Sequence, residues 1–398
     1  MKPIQALLAL FACAFLPLHA ASVADLTYAT NNGEVTITDC NEAATGELVI
    51  PATIEGNPVT SIGGEAFRNC TNLTSITIGN GVTSIGEKAF RYCTSLKSIT
   101  IPDSVTSIGR AAFESCTNLT SITIPDSVTS IGDYAFYDCT SLISITIPDG
   151  VTSIGQRAFW NCTSLTSIAI GKGVTSIGVG AFQKCTSLTS ITIPDCVTSI
   201  GSSDFSECPS LTSITIGNGV ANIGEGAFGD LTSLATIEVG EDNVNYTTVN
   251  GVLFNKEKTS MHTYPAGKTG DNYTIPDGVT SIGEKAFRYR TNLKSITIPD
   301  SVTSIGNDAF RGCTNLRSIA IPNSVTSIGS GAFNGCTSLT SVTIPDGVTL
   351  IADGTFLNCT SLTSITIGNG VNSIGDDSFS DCTSLTSITI PDSVTSIG

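Results

Sequence analysis

The chain has 398 residues, of which 13% are charged, and a formal net charge of −16. That balance argues against a nucleic-acid partner, which is held by Lys and Arg patches that release counterions, and against anionic membrane surfaces. With so few charges, Ser, Thr, Asn and Gly must do most of the solvating.

Residues 1–20 stand apart from the rest of the chain. Lys2 gives a short positive start, Ile4 to Leu18 runs apolar, and Leu18-His19-Ala20 offers a small-residue cleavage site. This is the pattern of a secretory signal peptide. The run is short for a membrane span of ~20 residues. A lipoprotein signal at Cys13 fits poorly, because Phe11 stands where a small residue is usual. No later stretch is apolar enough to span a bilayer. The mature chain is therefore expected to be secreted or displayed at the cell surface, without membrane insertion.

Residues 21–60 are expected to form an N-terminal cap segment, followed by a repeat array over 61–234. There Phe67, Phe90, Phe113, Phe136, Phe159, Phe182, Phe205 and Phe228 follow one another every 23 residues. Self-similarity at a fixed period of this length is the signature of a solenoid, in which each unit contacts only its neighbours. It also argues against an enzyme. A catalytic site needs unlike groups converging at one place, and no nucleophile, base and orienting group share a neighbourhood here.

Within one coil, Leu119 is taken as position 1. Ile122 and Ile124 then point to one face of a short strand, and Ser121 and Thr123 to the other, because side chains alternate along a strand. Pro125-Asp126-Ser127 makes a tight turn. Val128 and Ile131 point inward again, and Gly132 marks a corner that needs either a positive φ or a close backbone approach. Ala135, Phe136 and Cys139 lie at i, i+1 and i+4, a spacing that one or two helical turns would bury. The expected fold is an α/β repeat solenoid: a curved stack with a parallel β-sheet on one face and short helical segments on the other.

From Phe228 to Phe287 is 59 residues, two repeats plus thirteen. Residues 235–275 are expected to interrupt the array. Asn250-Gly251 suits a hairpin turn, and a second turn at 255–259 leads to Met261 through Tyr264. Either this coil bulges into a small hairpin that rejoins the stack, or the hairpin protrudes as a binding platform. A second array over 276–398 carries Phe287, Phe310, Phe333, Phe356 and Phe379 and ends in mid-repeat at Gly398. Solenoids normally carry a polar terminal cap, so a fragment or truncated product is expected.

Eleven of the fourteen cysteines share one repeat position: Cys70, Cys93, Cys116, Cys139, Cys162, Cys185, Cys208, Cys313, Cys336, Cys359 and Cys382. Cysteine-rich secreted chains usually form disulfides. Here one copy carries Leu231 at the equivalent place, so the position wants an apolar group, and a ladder of buried free thiols is expected. Cys40 and Cys196 lie off the ladder, Cys196 in a turn where it would be exposed. Arg290 breaks the ladder just after the interruption. There is no Cys-x-x-Cys pair, and past the signal the only histidine is His262, so no metal or other cofactor is implied. Asp103, Asp126, Asp149 and Asp195 would stack along one rim, but turn formation accounts for them and no cage for Ca²⁺ is visible.

The phrase Leu-x-x-Ile-x-Ile-Pro-x-x-Val-x-x-Ile-Gly-x-x-Ala-Phe-x-x-Cys resembles the BspA-like leucine-rich repeat family, over nearly the whole chain from Asp25 to Gly398. The segments from Asp25 and Val49, and Val249-Asn-Gly-Val-Leu-Phe-Asn, are similar to that family's N-terminal segment and usual interruption. The resemblance implies a bacterial secreted or surface protein, of a kind in which several relatives act in adhesion. It brings no ligand-binding motif. One departure stands out: leucine-rich repeats usually satisfy the turn after the strand with Asn, whereas position 9 here is Ser127, Gly150 or Gly173. The turn backbone must find other partners.

Two surfaces are candidates for a partner. Strand positions 3 and 5 are almost uniformly Ser and Thr, as in Ser121/Thr123 and Ser144/Thr146. Strand propensity and solubility account for this pattern, while a regular hydroxyl array would also suit glycan or ice. Copies differ mainly at positions 15, 16, 19 and 20, where Tyr92, Tyr137 and Trp160 fall. Aromatics are common at protein hot spots, so selective contact with an extracellular protein is expected there or at the interruption.

Overall fold

The computed structural model describes residues 19–398, and the expected signal peptide lies outside them apart from His19 and Ala20. Each coil contributes to two parallel ladders. On one side, positions 3–6 pair in register with the next coil, as Ser144–Ile147 does with Ser167–Ile170 and Ser190–Ile193 with Ser213–Ile216. On a second side, positions 12 and 13 form a shorter ladder through Ser107–Ile108, Ser130–Ile131 and Ser153–Ile154. Register is locked because a one-residue slip would turn every inward Ile to solvent. Ile145, Ile147 and Ile154 are each at most 4% exposed.

The third side is not helical, which corrects the expected helical segments. Among the described residues the one helical element is a single 3-10 turn at Val23–Asp25. Ala135, Phe136 and Cys139 are fully buried as their spacing required, but consecutive turns bury them. The Ala135, Tyr137 and Cys139 N–H groups donate three residues back, to Gly132, Tyr134 and Phe136, at 3.0–3.2 Å. The intervening N–H groups leave the coil: Tyr134 donates to Gln156 O, Phe136 to Ala158 O and Asp138 to Trp160 O, each at 2.8 Å. Tyr134 and Asp138 hold φ of 58° and 61°, a left-handed conformation no α-helix contains. Donors that a helix would spend internally thus tie one coil to the next.

Inside, like side chains stack in columns. Phe90, Phe113, Phe136 and Phe159 lie 5.3 Å apart and nearly parallel. The eleven ladder cysteines are buried and free. Each spends its S–H on the coil before it, as when Cys139 donates to Phe113 O at 3.1 Å and Cys162 to Phe136 O at 3.2 Å. Cys40 is buried too and its carbonyl accepts from Cys70, whereas Cys196 is exposed. The corner glycine is explained by crowding: a Cβ on Gly132 would sit 2.6 Å from the Gly109 carbonyl carbon.

The turn without Asn is satisfied from the neighbouring coil. Ser127 donates to Val105 O at 2.6 Å. Asp149 and Asp195 accept the N–H groups of Lys172 and Asn218, at 2.8 and 2.7 Å. These two rim aspartates serve backbone donors, and among the described residues no His, Cys, Asp and Glu cluster could hold a metal ion.

At the interruption Tyr246–Val249 and Val252–Asn255 pair antiparallel around Asn250-Gly251, both with positive φ. Val252–Asn255 then pairs with Ser260–Thr263, whose first residues rejoin the second ladder beside Ser281–Ile282. The segment is shorter than a normal coil on its turn side. His262 takes the place of the corner glycine and Tyr264 that of the column Phe, stacked 5.3 Å from Phe287. Only Thr263 separates them, where other coils have three residues. The buried apolar side chains fall into two clusters that meet here.

Candidate binding edge and strand face

Because a coil is 23 residues, side chains at i and i+23 lie over one another, and the turn column becomes a set of stacked surface rows. Near its start the rows are ionic. Lys88 reaches Glu65 and Glu87 at 3.4 and 3.2 Å, Arg110 reaches Glu87 at 3.1 Å, and Arg91 reaches Glu114 at 2.7 Å. The exposed members of these rows contribute little to stability.

Farther along, the rows become aromatic. Tyr137 stacks on Trp160 with ring centroids 4.4 Å apart and planes within 5°. Tyr134 packs against Tyr137 at 5.7 Å. Arg110 lies over Tyr134 at 5.3 Å and Lys184 over Trp160 at 4.7 Å. Cation–π contact fixes these side chains at both ends of the row. The three rings are half-buried, and burial pushes the Tyr137 hydroxyl pKa up. The result is a pre-ordered aromatic patch with cationic flanks, which loses little rotamer freedom on meeting a partner. Tyr92 is not part of it. It lies under Arg91, 4.5 Å from guanidinium to ring, and accepts a hydrogen bond from it at 2.9 Å.

The strand face has a different chemistry. Thr hydroxyls at positions 2, 11 and 22 are consumed by the preceding coil: Thr120 donates to Lys97 O, Thr129 to Thr106 O and Thr140 to Thr117 O, at 3.2–3.3 Å. Ser121, Thr123, Ser144 and Thr146 are exposed. Within the described residues their side chains form no hydrogen bond. Strand pairing lapses between Ser98–Thr100 and Ser144–Ile147, and these four residues line a shallow cleft there with Asp126 and Pro148. The candidate residues thus divide into an edge group, Tyr137 and Trp160, and a face group of four hydroxyls, with Tyr92 apart. The sequence reading passed over Arg110, Tyr134 and Lys184. Comparing residues 23 and 24 apart, instead of copy by copy, would have paired each with its ring.

A family model described as BspA type leucine-rich repeat region matches in six copies, over residues 60–178, 152–272 and 280–398. The chain belongs to the BspA-type leucine-rich repeat family. A leucine-rich cell surface protein from Faecalibacterium prausnitzii is 34% identical, with 95% of this chain and 94% of that one covered and a TM-score of 0.66. A leucine-rich repeat protein from Bacteroides ovatus is 30% identical, with 91% and 92% covered and a TM-score of 0.65. One from Eubacterium ventriosum is 29% identical, with 94% and 91% covered and a TM-score of 0.59. No curated protein matches the chain. Within this BspA-type scaffold, no helix among the described residues is long and apolar enough to cross a membrane.

Proposed function

We propose that the chain is a non-enzymatic binding scaffold, secreted or displayed at the cell surface of a bacterium, that engages an extracellular protein through the variable edge of its turn column. The observation that carries this is the Tyr137–Trp160 stack with its Arg110–Tyr134 and Lys184 flanks. Aromatic and arginine side chains dominate binding energy at protein interfaces, and here they gather beside the ionic rows of the turn column. The cell-surface relative from Faecalibacterium prausnitzii supports the location. Adhesion to host matrix or to other cells is the role this surface would serve. Retention of the mature protein on immobilised matrix proteins or whole cells tests it, and no retention on any of them would count against it.

A second reading has its own support. The hydroxyls of Ser121, Thr123, Ser144 and Thr146 are exposed and uncommitted, unlike the Thr hydroxyls at positions 2, 11 and 22. A glycan or ice surface is the partner that regular hydroxyls one coil apart would suit. Glycan-array binding and thermal-hysteresis measurements decide this reading, and a flat result in both removes it.

A further inference from the structure

The turn column is not uniform along the stack. In a normal coil the N–H groups at positions 16, 18 and 20 all bond the next coil. Ala111, Phe113 and Ser115 donate to Asp133, Ala135 and Tyr137 at 2.7–2.8 Å, and Gly331, Phe333 and Gly335 to Asp353, Thr355 and Leu357 at 2.8–2.9 Å. Two consecutive coils depart from this. Among the described residues, the N–H groups of Ser203, Phe205 and Glu207, and then of Gly226, Phe228 and Asp230, bond no carbonyl of the coil that follows. The rings separate at the same place. Phe310, Phe333 and Phe356 stack at 5.3–5.4 Å and within 4° of parallel, whereas Phe205 and Phe228 lie 6.2 Å apart and tilted by 32°. Phe228 then faces the His262 ring, at 6.1 Å and 50°. The side chains here are Ser203, Ser206, Gly226 and Gly229, too short to bridge coils as Arg110 and Glu87 or Tyr137 and Trp160 do.

The other two sides stay joined through these coils. Ser190–Ile193, Ser213–Ile216 and Thr236–Val239 pair in register on one side, and Ser199–Ile200 pairs with Asn222–Ile223 on the second. The buried Asn243 amide carries the tie onward, donating to Gly217 O and Val220 O at 2.9 and 3.0 Å. The slack is therefore confined to the turn side, and the two paired sides form a pivot. Across the slack, one ion pair among the described residues joins residues 61–234 to 276–398: Arg288 Nη1 to Asp230 Oδ1 at 2.8 Å. The Arg288 side chain is only 12% exposed, so salt screens this pair less than a surface one.

We infer that residues 201–231 form a hinge that opens on the turn side and is held closed by the Arg288–Asp230 ion pair. A solenoid is held by its nearest-neighbour interfaces, so a weak interface divides it into units that move separately. Local opening is drawn from segments with few internal bonds, and here the missing bonds fall on one side of two adjacent coils. Opening tilts the first array, with Tyr137 and Trp160 on its turn edge, against the second. The complete N–H sets on either side of the hinge keep the rest of each array rigid. No ligand enters the inference, so it stands or falls without the edge reading.

Distances between paired spin labels on the full mature protein test it, in a Cys196→Ser background. One pair, Gln156→Cys with Ser330→Cys, spans the hinge; a control pair, Gly64→Cys with Gln156→Cys, lies within the first array, and all three sites are exposed. The spanning pair should give the broader distance distribution. Arg288→Gln should lengthen and broaden it further, and Asp230→Asn should do the same. The control pair should not move in either variant, which shows that the array around it is folded. Amide exchange gives a second readout: Phe205 and Phe228 are as buried as Phe113 and Phe333, yet their N–H groups should exchange at least about tenfold faster. A spanning distribution as narrow as the control's, a distribution that neither substitution changes, or equal exchange at the four Phe residues would overturn the inference.

Discussion

Arg290 lies wholly inside the solenoid, with its guanidinium over the ring of Tyr264 at 5.7 Å and none of its three nitrogens hydrogen-bonded. The other coils carry Cys at this place except for Leu231 and, in the interruption, Gly267. In the preceding coil Gly267 and Gly270 stand where Cys and Leu usually lie, so neither usual side chain is present below Arg290. Among the described residues the Tyr264 face is what compensates a charge taken out of water, and cation–π contact offsets a small part of that cost. Arg290→Met, which keeps the volume and removes the charge, should stabilise the protein by about 1–4 kcal/mol. Denaturant unfolding of the two proteins measures this, and an unchanged or lowered midpoint contradicts it.

The same residue gives a pH dependence. Burial pushes the Arg290 pKa down to about 9. For a base with a depressed folded-state pKa, the folded form binds the proton less well than the unfolded form. The destabilisation is fully present below pH 9 and is relieved as pH rises above it. The advantage of Arg290→Met should therefore hold from pH 6 to 8 and shrink toward pH 10. Comparing the two proteins at each pH cancels the titration of shared Tyr and Lys residues. A constant difference across the range would show that Arg290 keeps its proton.

The thiol ladder predicts a sharp accessibility split. Burial pushes the thiols of Cys208 and Cys359 up to about 12, whereas Cys196 is exposed. Thiolate is the reactive form, so a thiol reagent added to the native protein should modify Cys196 alone. After denaturation without reductant it should modify every cysteine. A shortfall in the denatured sample would mean disulfides in place of the ladder.

The turn column makes a paired prediction. Glu207 is exposed and held at φ 61°, where an L-residue is strained by roughly 1–2 kcal/mol. Glu207→Gly should stabilise the protein, by less than that because glycine gains entropy in the unfolded chain. Gly335 occupies the matching position at φ 71°, where a Cβ would meet only Gly312 at an ordinary 3.7 Å, so Gly335→Ala should destabilise by about 1 kcal/mol through conformation alone. Gly132→Ala should cost more, because its Cβ would meet backbone at 2.6 Å. Thermal unfolding of the three variants checks the order, and equal effects would refute the stacked-turn description.

The repeat period carried most of the fold. Phe136, Ile122 and Cys139 were placed in the core from spacing alone, since a single period cannot bury them in any other arrangement. The helical expectation failed because burial of Ala135, Phe136 and Cys139 fits both a helix and a run of turns. What separates the two is where the backbone N–H of Tyr134 goes, and that donor bonds the next coil. Side chains at positions 16 and 20, such as Lys88, Tyr92, Gly335 and Asn358, give no uniform glycine signal for their positive φ. Arg290 was visible as an exception, but its neighbour, the Tyr264 ring in the coil below, was not. The candidate site was legible only in part. Trp160 and Tyr137 stood out as unusual residues, while Lys184 and Arg110 acquire their meaning from neighbours a coil away.

The central claim is that partner recognition resides on the variable turn edge and not on the uniform strand face. The direct measurement is affinity for whichever matrix protein or cell retains the parent, compared between two variants. One carries Tyr137→Ala and Trp160→Ala; the other carries alanine at Ser121, Thr123, Ser144 and Thr146. The edge variant should lose about 2 kcal/mol or more of binding, as aromatic hot spots do, and the face variant should bind like the parent. Loss of binding in the face variant, with the edge variant unaffected, would contradict the account.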